Sequence, residues 1–247
     1  MKTSSKLFIT AILIIIGSMI TYDVALRAEY RKGTYKSRFY EFEKTTDAKT
    51  FTTLDNRAAN LVTVRVEQGE HFGIWMMNDL KAYISISHKG TALVIDVIDK
   101  KSPYIKPYIN SYKNRIIITC PAVNKIITTP FFALKENEEG NYSNVNTSLI
   151  GFIQQELELH INKATRLDLD KNKIDFLKAY VGDSSTQHAN LTIRSNNQIN
   201  NAEIKVAGKN ELNLENPKIT KSNFNISDSA QVNLSGSFLN QIKKEQQ

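Results

Sequence analysis

Between residues 167 and 234, apolar residues recur in pairs around a single intervening residue. One series reads Leu167-x-Leu169, Leu191-x-Ile193, Leu212-x-Leu214 and Val232-x-Leu234, at spacings of 24, 21 and 20. A second reads Ala179-x-Val181, Ile204-x-Val206 and Phe224-x-Ile226, at spacings of 25 and 20, and Ile199 and Ile219 are again 20 apart. Between the pairs lie turn formers: Ser195-Asn196-Asn197, Gly208-Lys209-Asn210, Glu215-Asn216-Pro217 and Ser227-Asp228-Ser229. Strand side chains alternate between faces, so both members of each pair point the same way. A helix would set residues 212 and 214 about 200° apart. A period near 20 made of short strands and polar corners specifies a solenoid. One rung has too little apolar surface to fold alone, whereas rungs stacked about 4.8 Å apart pair in parallel and align their inward side chains into columns. The outward column of the first series is then Asp168, Thr192, Asn213 and Asn233, and that of the second Tyr180, Lys205 and Asn225.

Upstream, strict alternation also points to strands. Val62-Thr63-Val64-Arg65-Val66 reads as a half-buried strand, with Glu67 to Glu70 turning it at Gly69, which is free to take a positive φ. Ile84-Ser85-Ile86 and Leu93 to Val97 alternate likewise and are joined through His88-Lys89-Gly90-Thr91, so the region is expected to be an antiparallel meander. Arg115 to Pro121 is a buried strand, and Cys120 within it a core thiol. Residues 102–112 and 135–148 read as loops.

At the other end, Leu7 to Tyr22 carries no charge, and counting on to Leu26 with only Asp23 intervening gives a 20-residue stretch. At 1.5 Å per residue it is about 30 Å long, one hydrocarbon core. Lys2 and Lys6 precede it. The small-x-small exit of a cleaved signal is missing, since Ala25 follows Asp23-Val24 and Ala28 follows Leu26-Arg27, which favours an uncleaved anchor over a cleaved signal. The flank Arg27, Arg31, Lys32, Lys36 and Arg38 argues for a cytoplasmic body, while the export-signal layout and the length of the following domain argue for an extracytoplasmic one, the reading preferred here. Arg27 to Phe42 interleaves basic and aromatic residues, as an ordinary stop flank and linker does, or a strip lying on anionic headgroups.

The expected fold class is therefore all-β. A parallel β-helix or solenoid forms the C-terminal part, preceded by an antiparallel β meander, with one N-terminal transmembrane helix. The expected division is 1–26 membrane anchor, 27–48 juxtamembrane linker, 49–121 strand-rich N-terminal part, 122–240 solenoid and 241–247 charged tail that caps or frays. The alternating opening (Phe51, Val62 to Val66, Gln68-Gly69), Gly90 before Leu93 to Val97, and the β-repeat ending in Asn233-Leu234-Ser235-Gly236 resemble the bacterial auto-transporter adhesin head GIN domain family over roughly residues 49–238. That resemblance implies a β-helical protein of the cell envelope with an adhesin-like role. The chain departs from the family in its anchor and in having fewer Gly in its repeats.

Several chemistries find no support. The single Cys excludes an intrachain disulfide framework and Cys-based zinc sites. His71, His88, His160 and His188 stand apart, with no His-Glu-x-x-His motif. Asp168-x-Asp170-x-Asn172 with Asp175 has the beginning of a calcium loop, but Lys173 stands where Gly is needed and Ala179 where Glu is needed. No Gly-x-Ser-x-Gly elbow or phosphate loop is present, and the outward columns stack no two carboxylates for glycoside cleavage. A formal net charge of +7, with much of the excess beside the apolar segment, does not mark a nucleic-acid binder. No catalytic, cofactor-binding or metal residues and no cofactor are expected. The expected function is a non-catalytic binding or scaffold protein, single-pass in the inner (cytoplasmic) membrane with its bulk extracytoplasmic. Its expected partners are the membrane, through the N-terminal helix, and a glycan or envelope protein. The alternatives are a carbohydrate-active β-helix enzyme, with Lys205 and Asp168 as its residues, and a cytoplasm-facing regulatory partner of a membrane complex.

Overall fold

The computed structural model describes residues 3–33, 37–45, 49–100, 115–132, 145–185 and 187–238. The expected loop at 102–112, most of that at 135–148 and the charged tail at 241–247 lie outside them. The chain divides into two compact units, Met1–Phe42 and Glu43–Gln247.

The first unit holds one helix, α1 (Thr3–Lys32), which outruns the 20-residue apolar stretch because Asp23–Arg27 and Glu29–Lys32 ion pairs at helical spacing, 2.9 and 2.6 Å, support its polar end. Its apolar side chains are exposed along its length. By length and composition it is a membrane anchor or a signal sequence.

The second unit is built of strands that form two sheets, which the chain enters in turn through most of its length. In chain order they are β1 (Phe42–Lys44), β2 (Thr53–Asn56), β3 (Val64–Gln68), β4 (Gly73–Met77), β5 (Ile84–Lys89), β6 (Ala92–Val97), β7 (Ile116–Cys120), β8 (Lys125–Thr128), β9 (Thr147–Ile150) and β10 (Ile153–Ile161). There follow β11 (Arg166–Asp170), β12 (Lys173–Val181), β13 (Gln187–Ile193), β14 (Gln198–Val206), β15 (Lys209–Leu214), β16 (Lys218–Ile226) and β17 (Gln231–Leu234). Sheet A has the order β1-β4-β7-β3-β9-β11-β13-β15-β17 and sheet B the order β16-β14-β12-β10-β8-β2-β6-β5. From β10 onward every pairing is parallel and each strand adds to the one two places before it, a β-solenoid-like arrangement.

The repeat seen in the sequence is the register of these sheets. On sheet A, Leu149, Leu169, Ile193, Leu214 and Leu234 are successive partners. On sheet B, Leu159, Ala179, Ile204 and Phe224 are, and so are Ile161, Val181, Val206 and Ile226. The interior members are 0–2% exposed, whereas Val232 and Leu234 on the last strand are 36% and 37% exposed because no further strand covers them among the described residues. The spacings of 24 and 25 arise where the turn after β12 lengthens, and the return to 20 where turns are tight.

The expected meander is a correction. Antiparallel pairing joins β5 to β6, the hairpin turned by Gly90 at φ 60°, and β4 to β7. Val62–Val66 does supply a strand, but β3 pairs in parallel with β7 and β9, and β2 with β6 and β8. Gly69 is not among the residues of positive φ; a Cβ there would meet Thr119 Cβ at 3.3 Å, so close approach explains the glycine. The solenoid thus already includes β2 and β3. They are first in sequence but lie between β6/β7 and β8/β9 in the stack. Alternation fixes which side chains face inward but carries no information on which strand lies alongside, so a parallel rung and a hairpin arm look alike in sequence.

Two buried asparagines brace one corner of the stack. Asn172 accepts from the Phe152 amide at 2.9 Å and donates to the Leu149 carbonyl at 3.0 Å. Asn197, one rung on, accepts from the Asn172 amide at 3.0 Å and donates to the carbonyls of Leu169 and Arg194 at 2.8 Å each. Each side-chain oxygen thereby gives a buried amide of the preceding rung its acceptor, and each side-chain amide adds a donor to carbonyls at the corner.

Candidate functional site: the outward face of sheet A

Parallel, in-register stacking aligns the outward residues as well. The column Asp168, Thr192, Asn213 and Asn233 forms as the sequence spacing requires, and continues upstream through Ser148 to Arg65. A second column beside it runs Arg166, Asn190, Glu211 and Gln231. On the other side stand Ile150 and Asp170, then Arg194 and Glu215 at the ends of their strands. Up to Glu211 and Asn213, short of Gln231 and Asn233, these columns line a shallow groove of about 640 Å³.

The groove's side chains hold one another. Asp168 is central: its carboxylate receives Nη2 of Arg194 at 3.0 Å and Nδ2 of Asn146 at 2.7 Å, and its side chain is only 14% exposed. The hydrogen bond to Asp168, aided by its charge and by Glu215 and Asp170, raises the Arg194 pKa further above neutrality. Asn190 donates to Glu211 at 2.6 Å and accepts from the Thr192 hydroxyl at 3.1 Å. Asn233 donates to Asn213 and to Glu211, each at 2.7 Å. Arg65 pairs with Glu67 on its own strand. The result is a polar face of fixed donors and acceptors repeated at strand spacing.

Sequence spacing found the central column but not its neighbours. Arg166, Glu211 and Glu215 lie just outside the apolar pairs that define the repeat, so they entered no series. Four carboxylates (Asp168, Asp170, Glu211 and Glu215) therefore share a groove in which the central column alone shows one. The calcium-like run does not converge. Asp168 and Asp170 face this groove, Asn172 is turned into the buried corner, and Asp175 is on sheet B, where Asn200 donates to it at 2.8 Å. Lys205 also belongs to sheet B, so it does not share the groove with Asp168.

The outward face of sheet B is different. Lys125, Glu158, Lys178 and Glu203 alternate in sign from strand to strand, with Lys125 3.0 Å from Glu158. His160 stacks on Tyr180 with ring centroids 4.8 Å apart. The hydrogen bond from His160, then that from Lys125, holds the Glu158 carboxyl below its ordinary pKa. Such cross-strand pairs tie rungs together. Cys120 is fully buried, and burial pushes its thiol up to about 12.

No family model matches this chain, and no curated protein matches it in sequence. Solved structures do resemble it. A protein described as a putative adhesin from Parabacteroides distasonis ATCC 8503 is similar with a TM-score of 0.54 at 12% identity, over 78% of this chain and 71% of that one. A putative adhesin from Bacteroides fragilis NCTC 9343 gives a TM-score of 0.40 at 12% identity, over 78% and 96% of the two chains. A putative lipid binding protein from Parabacteroides distasonis ATCC 8503 gives 0.35 at 14%, over 79% and 96%. The first of these likenesses is one of fold: a mostly β chain whose two largely parallel sheets take alternating strands.

Proposed function

We propose that this protein is a non-catalytic, adhesin-like binding scaffold of the cell envelope, held to the membrane by α1 with its β-solenoid on the outer side and binding through the outward face of sheet A. The observation that carries the reading is the groove itself: a set of polar side chains, mutually braced, presented on a rigid stack rather than on loops. The helix α1 supports the location, being apolar enough to anchor or export the chain. A scaffold rather than an enzyme is favoured because Asp168 is bound by both Arg194 and Asn146, leaving it poorly placed to exchange a proton.

Two measurements test this. Protease added to spheroplasts is expected to digest a C-terminal tag; protection until lysis would place the body in the cytoplasm, as the basic residues Arg27, Arg31 and Lys32 at the end of α1 would favour. Retention of the purified protein on isolated envelope material is expected to be lost in Thr192→Trp, which fills the groove, and kept in Tyr180→Ala on sheet B. Equal retention of all three proteins would remove the groove from the function.

A further inference from the structure

The groove's chemistry also selects among ligands, given that it is the binding face. We infer that it takes a neutral, linear glycan lying along the stacking axis, across the strands of sheet A.

The lining leaves few other classes. Among the described residues that line it, Ile150 alone is apolar. A protein partner would need an apolar, aromatic-rich centre to its contact, and an acyl chain or membrane surface would need more apolar area still. Charge excludes the polymers of one sign. Arg65, Arg166 and Arg194 face Asp168, Asp170, Glu211 and Glu215, so a polyanion running the length of the groove meets carboxylates, and a polycation meets guanidinium groups. What fits is a ligand dense in hydroxyl groups, each able to donate to a carboxylate or amide oxygen and to accept from an amide, hydroxyl or guanidinium group.

Spacing sets the direction. Ser148, Asp168, Thr192 and Asn213 are register partners on successive strands, repeated at about 4.8 Å. An extended β-linked hexose chain advances by nearly one such step per sugar, so one kind of contact repeats from rung to rung. An extended peptide advances about 3.4 Å per residue and falls out of step. The bonds from Thr192 to Asn190 and from Asn233 to Asn213 hold these groups in place before a ligand arrives, so little side-chain freedom is lost on binding.

The test is calorimetric titration of the full chain in detergent with neutral β-1,4-linked glucose and N-acetylglucosamine oligomers, from disaccharide to hexasaccharide, beside galacturonic acid oligomers of matched length. Affinity for at least one neutral series is expected to climb with length and level off once the strands lining the groove are spanned. Thr192→Val removes one hydroxyl at nearly constant shape and is expected to weaken binding about tenfold, with an unchanged thermal melt showing that the fold is intact. Tyr180→Ala is expected to leave binding unchanged. The inference is overturned if no neutral oligomer binds, if affinity does not depend on length, or if the galacturonic series binds tighter. Should neutral oligomers fail while Thr192→Trp still abolishes envelope retention, the ligand class is wrong and the binding face stands; should Thr192→Trp leave retention intact, the binding face itself falls.

Discussion

Leu169, Leu214 and Leu234 occupy one inward column of sheet A, so truncating each to alanine removes the same atoms from different depths of the stack. Leu169 is fully buried, with Leu149 and Ile193 as its partners on either side; Leu214 is 1% exposed between Ile193 and Leu234. Leu234 is 37% exposed, with a partner on one side only among the described residues. For Leu169→Ala and Leu214→Ala the lost transfer free energy and the sealed cavity together cost about 3–4 kcal/mol. For Leu234→Ala no closed cavity forms and part of the side chain was already in water, so the cost is about 1 kcal/mol. Urea titration of the full chain in detergent, followed by the β-sheet circular dichroism signal, reads these as shifts in midpoint at constant slope. The expected order is a large loss, a large loss and a small one. A loss for Leu234→Ala as large as that for Leu169→Ala would show that β17 is covered and is not the last rung. Losses of about 1 kcal/mol or less at all three sites would refute the inward column altogether.

Three further outcomes follow from the same geometry. Leu214→Asp buries an unpaired carboxylate and is expected to cost several kcal/mol, while Asn213→Asp, one residue away on the outward face, costs about 1 kcal/mol or less; comparable melting losses for the two would contradict the strand alternation. Asn197→Ala strips the Asn172 amide of its acceptor and takes from the Leu169 and Arg194 carbonyls the second of two donors, and is expected to cost about 1–3 kcal/mol by thermal melting, a value that Asn200→Ala on the exposed face should not approach. Cys120 keeps its proton in the folded state up to about pH 12 but in the unfolded chain only to its ordinary 9.0, so its contribution to stability is complete below that lower value and is lost as pH rises through the interval. Cys120→Ala should flatten the alkaline end of the stability profile, and thiol labelling of the native protein at pH 9 should proceed only as fast as unfolding.

What was legible in the sequence was what the two-residue alternation and the repeat both carry. The inward pairs from Leu167 to Leu234, their outward partner Asn213, and Tyr180 and Lys205 on the opposite sheet all follow from them. What was not legible depends on pairing partners distant in the chain. Val64 lies beside Ile116 and Thr147, and no local pattern at Val64 indicates either. The repeat is broken there by the excursion through β4 to β7, so the first rung carries no period. The groove was half legible: Asp168 and Thr192 were placed outward, but Arg194 and Glu215 sit where each strand gives way to its turn, and their position on the face depends on the turn geometry. Asn172 and Asn197 looked like ordinary corner residues because a buried and an exposed turn asparagine have the same sequence context.

The placement of β2 and β3 inside the stack bears on how the body carries a mechanical load. Tension applied through the N-terminal end arrives first at β1, three residues at the margin of sheet A, with Thr45 bonded to the Ile74 carbonyl at 2.8 Å. Those contacts can open one at a time, like a seam, and absorb a small pull. The next strand to feel it is β2, and β2 is not at a margin: Thr53 to Asn56 are bonded along both sides, to Ala92–Ile95 and to Lys125–Thr128. Pulled lengthwise, its ladder bonds must yield together, in shear. A solenoid whose first residues formed an end rung would unzip from its tether, rung by rung; here the pull enters through a strand clamped on both sides, and the strands beyond it are spared until that clamp gives way.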